Sequence, residues 1–158
     1  MQLAPYYGHE YVLVTDHHKA VPYLRDMVRL YGEDAHCRKV DCIDWWVTDM
    51  IQDTAGVARD AVAAATKIRQ EAEADVCILG CTIISASYEK SIMEGAPRDV
   101  SILNPNTMAL KLAQSLAELK QQGAYAISRR AYYQNLKDRN AEEFSSVRKQ
   151  FANRKPNL

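Results

Sequence analysis

Four short apolar runs, each followed by a segment with helical periodicity, limit the folds open to this chain more than any other feature. Their length and their content of β-branched residues are typical of buried strands. We place the strands at residues 11–15, 36–43, 75–79 and 100–103. Strands that alternate with helices pair in parallel and carry helices on both faces of the sheet. The pattern therefore predicts an α/β fold with a four-stranded, doubly wound parallel sheet and with ligands at the carboxyl ends of its strands.

Local signals place the helices that connect these strands. Proline fits a first helical turn, Asn, Asp and Thr fit the N-cap, and glycine fits the left-handed position after a helix. These preferences predict a helix from Pro22 to Gly32, an alanine-rich helix capped by Asp53 or Thr54, a helix over residues 83–93, and a helix capped by Asn104 that ends at Gly123.

Length and composition divide the chain into three segments. A chain of 158 residues, of which 47% are hydrophobic, suits one domain with its own core. We predict an irregular N-terminal arm at residues 1–10, the α/β domain at 11–126 and a helical C-terminal extension at 127–158. The extension has only a narrow apolar stripe, formed by Phe144, Val147 and Phe151. It either docks on another surface, such as a second subunit, or remains a solvated tail.

The charge balance excludes some classes of partner. Lys plus Arg and Asp plus Glu each number 20, so the formal net charge is zero. The chain therefore lacks the basic surface that nucleic acids and anionic membranes require. It shows no N-terminal signal segment and no apolar run near the length of about 18 residues that a membrane span needs. We expect no nucleic-acid or membrane partner and a cytoplasmic location.

The cysteines are interpreted as free thiols. Cys37, Cys42, Cys77 and Cys81 lack the Cys-x-x-Cys spacing of zinc and redox motifs. His17, His18 and His36 could in principle join them around zinc, but the spacing does not favour such a site. We therefore expect neither a metal nor a cofactor.

Cys81 is the residue best placed for chemistry. It follows the apolar run that ends at Leu79 and Gly80 and it precedes a predicted helix, where backbone amides and the helix dipole stabilise a thiolate. The alternative interpretation is that Cys81 packs as a small hydrophobic residue. Trp45 and Trp46 have the same two interpretations, since a tryptophan pair after a strand either shapes a pocket or packs in the core.

At Leu79-Gly80-Cys81-Thr82 the chain resembles the aspartate/glutamate/hydantoin racemase superfamily, and within it the hydantoin or allantoin racemases. The other matching features are the strand at 11–15, the helix at 22–32, the alanine-rich helix that leads into Asp75, and the segments 105–119 and 123–133. The likeness covers roughly residues 10 to 133 and corresponds to the second domain of such proteins.

The resemblance implies a cofactor-independent site between two similar α/β domains, each of which supplies one cysteine. One thiolate removes a proton from the substrate carbon and the opposing thiol returns a proton to the other face. By this match Cys81 is the catalytic cysteine of the second domain. The match also implies that Thr82 and Thr15 bind substrate. We add Gly80 and His17 as substrate-binding candidates, although Asp16-His17-His18 departs from the turn usual in the family, and His17 or His18 is a candidate auxiliary acid or base.

The chain departs from this pattern because it lacks the first domain, and Cys37, Cys42 and Cys77 do not occupy the position of the first-domain cysteine. Three hypotheses remain open. The first is a racemase whose site is completed by a homodimer or by a separately encoded first domain. The second is a single-cysteine decarboxylase similar to arylmalonate decarboxylase. The third is a non-catalytic half-domain that acts as a binding or assembly module.

Overall fold

A four-stranded parallel sheet forms the centre of the protein, as predicted. The computed structural model describes residues 1, 3–128 and 140–152. The strands are β1 (Tyr11–Thr15), β2 (Cys37–Cys42), β3 (Val76–Leu79) and β4 (Ile102–Leu103), in the spatial order β2-β1-β3-β4. In the register of the sheet, Val14 lies beside Asp41 on one side and beside Leu79 on the other. The carboxyl ends of β1, β2 and β3 therefore lie at one edge of the sheet.

Helices cover both faces of this sheet, which confirms the doubly wound arrangement. The helices of the described residues are α1 (Val21–Leu30), α2 (Val47–Gln52), α3 (Thr54–Glu71), α4 (Thr82–Met93), α5 (Pro105–Gln121) and α6 (Ala141–Ala152), of which α6 belongs to a second compact unit described below. Val12 and Val14 of β1 pack with the apolar face of α3, whereas Tyr11 and Leu13 pack with Val28 of α1. This alternation follows from the two-residue period of a strand, which turns successive side chains to opposite faces.

The helix ends follow the predicted signals. Asp53 caps α3 by accepting a hydrogen bond from the amide of Gly56 at 2.8 Å. Asn104 accepts from the amides of Asn106 and Thr107 at the start of α5, at 3.0 and 3.3 Å. Gly32 has a φ of 70° after α1, the left-handed conformation that favours glycine at this position. The short helix α2 was not predicted. We expected its residues to lead from the tryptophan pair into the alanine-rich helix, and its six residues are too few to show a helical periodicity.

The first ten residues, which we predicted as an irregular arm, have defined contacts in the structure. Residues Ala4–Tyr6 form a 3-10 helix, and Ala4 is buried in the core on the α1 face of the sheet. The amides of His9 and Glu10 donate to Asp75 Oδ2 at 2.7 and 3.1 Å. These hydrogen bonds join the N-terminal segment to the residue that precedes β3.

Two compact units make up the molecule, residues 1–113 and 114–158. In the second unit Asn140 caps α6 by accepting from the amide of Glu143 at 3.0 Å, and Phe144 and Val147 of that helix are partly buried. Residues 129–139 and 153–158 of the predicted extension, which include most of the racemase-like segment at 128–133, lie outside the described residues. No helix within the described ranges combines the length and the apolar character needed to cross a bilayer.

Candidate active site

Backbone hydrogen bonds join the segments that follow β1, β2 and β3. The amide of Gly80 donates to Val14 O at 2.7 Å, so the end of β3 is held directly beside β1. On the other side of β1, the amide of Ile43 donates to Thr15 O at 3.0 Å and that of Trp45 donates to Asp16 O at 2.9 Å. The loops that carry the predicted site residues therefore share one edge of the sheet.

Cys81 is the N-cap residue of α4. Its backbone is extended, with φ −125° and ψ 135°, and its side chain makes no capping hydrogen bond. The side chain is partly buried and packs against the core on the α3 face. A helix leaves its first amide groups without acceptors of its own, and these amides stabilise negative charge. The structure thus places the thiol where the sequence predicted it, between a buried strand and the start of a helix.

Gly80 is required by the close approach of β3 to β1. A Cβ atom at this position would lie 2.4 Å from Leu13 Cδ2 and 3.2 Å from Val14 O. Contacts this short cannot be accommodated unless the neighbouring atoms move, and Leu13 is only 2% exposed. The absence of a side chain at Gly80 therefore lets the strand turn into α4 and sets the direction in which Cys81 leaves the sheet.

An open pocket of about 230 Å³ lies beside this turn. Gly80, Cys81 and Thr82 contribute to its lining, together with Leu13, Leu24 and Asn106. Most of the lining is apolar, and the polar groups come from the β3–α4 junction and the start of α5. The pocket therefore has a mostly apolar lining and borders the residue at the N-terminus of α4.

Asn106 is a pocket residue that sequence reasoning missed. Its Nδ2 donates to Thr82 O at 3.0 Å, which ties the first turn of α5 to the first turn of α4. Its position directly after Asn104 and Pro105 was an available signal, because a capped helix that starts after β4 must begin at the same edge of the sheet as Cys81.

Glu89 of α4 forms hydrogen bonds to residues at the start of α5. Its carboxylate accepts from Asn104 Nδ2 at 3.1 Å and Thr107 Oγ1 at 3.3 Å, and it pairs with Arg98 at 2.6 Å. The hydrogen bond from Arg98 lowers the pKa of Glu89 below the ordinary carboxyl range. The charged form of Glu89 therefore holds the start of α5 next to α4.

Of the predicted site residues, the structure brings Gly80, Cys81 and Thr82 together at this pocket, whereas Thr15 and His17 are not among its lining residues. Thr15 is 2% exposed, and its hydroxyl donates to Asp16 Oδ1 at 2.8 Å. Thr82 is exposed. The roles predicted for Thr15 and His17 in substrate binding stay predictions.

His17 belongs to a separate cluster between the ends of β1 and β2. Its ring contacts the rings of His18 and Trp46, with ring centroids 4.0 Å apart in each pair and ring planes tilted by 36° and 35°. His18 Nδ1 lies 2.6 Å from Asp44 Oδ1, and this hydrogen bond is the main cause of the lowered pKa of Asp44. Trp46 thus contacts a histidine rather than the core, while Trp45 packs against the core and donates from Nε1 to Asp60 at 3.1 Å.

The other three cysteines lie in strands and are held as thiols. Burial raises the pKa of Cys37, Cys42 and Cys77, in the last case to about 12. Cys77 is fully buried, and Cys37 and Cys42 lie at the two ends of β2. None of the three lines the pocket beside Cys81.

Comparisons with known proteins give a consistent result. No protein-family model matches the chain. The chain is 28% identical over 116 residues to a hydantoin racemase from Rhizobium meliloti, a match that covers 73% of this chain and 47% of the relative. It superposes on the crystal structure of allantoin racemase from Pseudomonas fluorescens with a TM-score of 0.60 and 25% identity, covering 82% of this chain and 57% of that one.

A second solved structure supports the same fold. Allantoin racemase from Klebsiella pneumoniae superposes with a TM-score of 0.56 at 20% identity, over 84% of this chain and 56% of that one. The chain spans about half the length of each of these relatives. The chain is therefore similar to hydantoin and allantoin racemases over a region that corresponds to about one domain of those proteins.

Proposed function

We propose that the chain forms one half of a cofactor-independent racemase site and that Cys81 is its acid/base residue. The homology to hydantoin and allantoin racemases is the observation that carries this proposal. The position of Cys81 supports it, because the residue lies at a helix N-terminus and contributes to the lining of a pocket. The substrate class is a cyclic ureide of the hydantoin type, or a similar amino-acid derivative, whose stereogenic carbon lies next to a carbonyl group.

Racemisation requires an acid/base group on each face of the stereogenic carbon. Removing the proton from the stereogenic carbon leaves a planar enolate, and inversion requires that a proton return to the opposite face. General acid–base catalysis of each transfer is worth about 10²- to 10⁴-fold in rate. The Cys81 thiolate takes the proton from one face, and Thr82 and Asn106 line the same pocket with polar groups that can orient substrate oxygens.

The opposite face needs a second acid/base group. None of the other cysteines among the described residues lines the pocket, and burial raises the pKa of all three. We propose that a second copy of the chain, or a polypeptide that carries the other half of the racemase, supplies this group. Two-fold symmetry would present a second Cys81 from the opposite side.

Hydrogen exchange at the substrate carbon tests the role of Cys81. Enantiopure 5-substituted hydantoins are incubated with the protein in D₂O, and the loss of the proton signal is compared with the rate in buffer alone. We expect the Cys81→Ser variant to lose at least about 100-fold of the enzymatic rate. Cys42→Ser is the matched control, since Cys42 is also partly buried and lies at the end of a neighbouring strand.

Two outcomes would contradict the proposal. Exchange that persists in Cys81→Ser, or that is lost equally in Cys42→Ser, would remove Cys81 from the mechanism. The solution mass, measured in parallel, addresses completion of the site: a monomer that catalyses no exchange would rule out self-association and leave a separately encoded half or a non-catalytic module.

A single-cysteine decarboxylase is the second candidate. It is favoured by the fact that Cys81 is the one cysteine, among the described residues, on the wall of the pocket. Such an enzyme protonates an enolate from one face after loss of carbon dioxide. Formation of one enantiomer from a prochiral malonate, without racemisation of that product, would distinguish this reaction from the first.

A further inference from the structure

Three donor groups converge between the loops that follow β1 and β2. His17 Nε2 lies 3.6 Å and His18 Nδ1 lies 2.6 Å from the same atom, Asp44 Oδ1. The donor atoms of the three residues all lie within 4.8 Å of one another. Two imidazoles and a carboxylate are ligands that zinc and neighbouring transition metals accept.

The spacing is close to what one metal ion would require. Zinc binds imidazole nitrogen and carboxylate oxygen at about 2.0–2.2 Å, so two ligand atoms in a tetrahedral site lie about 3.4 Å apart. The distance of 3.6 Å between His17 Nε2 and Asp44 Oδ1 already agrees with this value within a few tenths of an ångström. The shorter distance between His18 and Asp44 is that of a hydrogen bond, and it would lengthen by less than about 1 Å when a metal replaces the shared proton.

Packing and backbone conformation hold the three groups in place before any ion binds. His17 is 8% exposed, and its ring contacts the rings of His18 and Trp46. Asp44 has a φ of 60°, a conformation that Asp tolerates better than most residues, and this turn directs its carboxylate back toward the histidines. The side chains of His18 and Asp44 are 61% and 60% exposed, so an ion can enter from solvent.

One local hydrogen bond would be exchanged on binding. The amide of Lys19 donates to His17 Nδ1 at 3.3 Å, which leaves the ring proton on Nε2. Coordination through Nε2 moves that proton to Nδ1 and ends this bond. At 3.3 Å it lies beyond the usual range for N–H hydrogen bonds, so its loss is a small cost compared with a metal–nitrogen bond.

We propose that His17, His18 and Asp44 form a binding site for a divalent transition-metal ion of the zinc type, with the fourth position open to water or to an oxygen of a small molecule. The site is distinct from the pocket beside Cys81, since none of its three residues lines that pocket. It lies at the same edge of the sheet, between the ends of β1 and β2.

Metal titration of the reduced, full chain tests the proposal. Isothermal titration with Zn²⁺ gives the stoichiometry and affinity, and Co²⁺ absorption reports the type of ligand. We expect saturable binding at one site and visible cobalt bands without thiolate charge-transfer absorption. Loss of an outer-shell partner typically weakens metal binding by about 10- to 100-fold, so Asp44→Asn and His18→Gln, which each remove a ligand, should cost at least as much.

Two control variants exclude other binding modes. His36→Gln removes a partly buried histidine whose ring lies against His9, at a centroid distance of 5.2 Å, and Cys81→Ser removes the thiol of the residue beside the pocket. Both should bind Zn²⁺ as the unmodified chain does. Absence of saturable binding by the unmodified chain, equal binding by Asp44→Asn, or binding lost in Cys81→Ser or His36→Gln would each overturn the proposal. The titration does not depend on hydrogen exchange at the substrate carbon. A negative result for metal binding would therefore leave the proposed role of Cys81 unchanged.

Discussion

The ends of β3 and β1 are neighbours in the sheet, yet their polar groups are positioned in different ways. At the end of β3 the backbone sets the geometry, because Gly80 lies against Val14 and Cys81 begins α4 directly afterwards. At the end of β1 the side chains set it, because His17 stacks on Trp46 and His18 bonds to Asp44 from a different loop.

This difference determines which changes each region tolerates. The thiol is held by close packing, so its position depends on the volume of the residues beneath it. The histidines are held by ring stacking and one charged hydrogen bond at the surface, so their position depends on the charge of Asp44 and hardly on the core. Substitutions that change side-chain volume should therefore affect the region around Cys81, and substitutions that change charge should affect the histidine cluster.

The largest effect is expected from Gly80→Ala. The new Cβ would lie 2.4 Å from Leu13 Cδ2 and 3.2 Å from the backbone oxygen of Val14. Overpacking of this kind costs about 1–3 kcal/mol, which a urea denaturation curve would measure as a lower free energy of unfolding. Thr82→Ala, at an exposed position two residues later, is the control and should change stability by less than about 0.5 kcal/mol. Equal stability of Gly80→Ala and the unmodified protein would show that packing does not fix the thiol.

An intermediate effect is expected from Glu89→Gln. Because Arg98 lowers the pKa of Glu89 in the folded state, the charged carboxylate stabilises the fold fully above the ordinary glutamate range, and this contribution is lost as the pH falls through that range and below it. At neutral pH the variant should lose about 0.5–1.5 kcal/mol, the usual value of a net hydrogen bond. Denaturation curves between acidic and neutral pH should converge for the two proteins at low pH. A constant difference over this range would contradict the assigned cause.

The smallest effect on stability is expected from Asp44→Asn. Asn tolerates the positive φ of this residue, and the carboxylate is exposed, so the midpoint of unfolding should hardly move. The local change should be clear, because the imidazole resonances of His18 in NMR spectra report the loss of a charged acceptor 2.6 Å from Nδ1. A large fall in stability would mean that the histidine cluster is part of the core and would end the contrast between the two regions.

Much of the β3 region could be predicted because its determinants are local. The apolar run before Gly80, the thiol after it, and the caps at Asp53 and Asn104 are all short sequence signals, and the structure contains each of them. The predicted strands at 36–43 and 100–103 are shorter in the structure, at Cys37–Cys42 and Ile102–Leu103.

The histidine cluster could not be predicted in the same way. Asp44 lies 26 residues from His18, and nothing in the sequence around either residue reveals that their loops meet. From the sequence we weighed His17 and His18 as zinc ligands together with the cysteines, and we expected no metal. In the structure the residue that joins the two histidines is a carboxylate, Asp44. Contacts between loops depend on strand order, which places β2 beside β1.

The sheet order also bears on how this domain can meet another chain. Among the described residues the sheet ends at β2, whose Lys39 forms ion pairs with Asp41 and Glu71, and at β4, which is only two residues long. Charged or very short edge strands resist the addition of a further strand from a neighbouring molecule. We therefore expect a second copy, or the other half of a racemase, to dock through helices and loops rather than by extending this sheet.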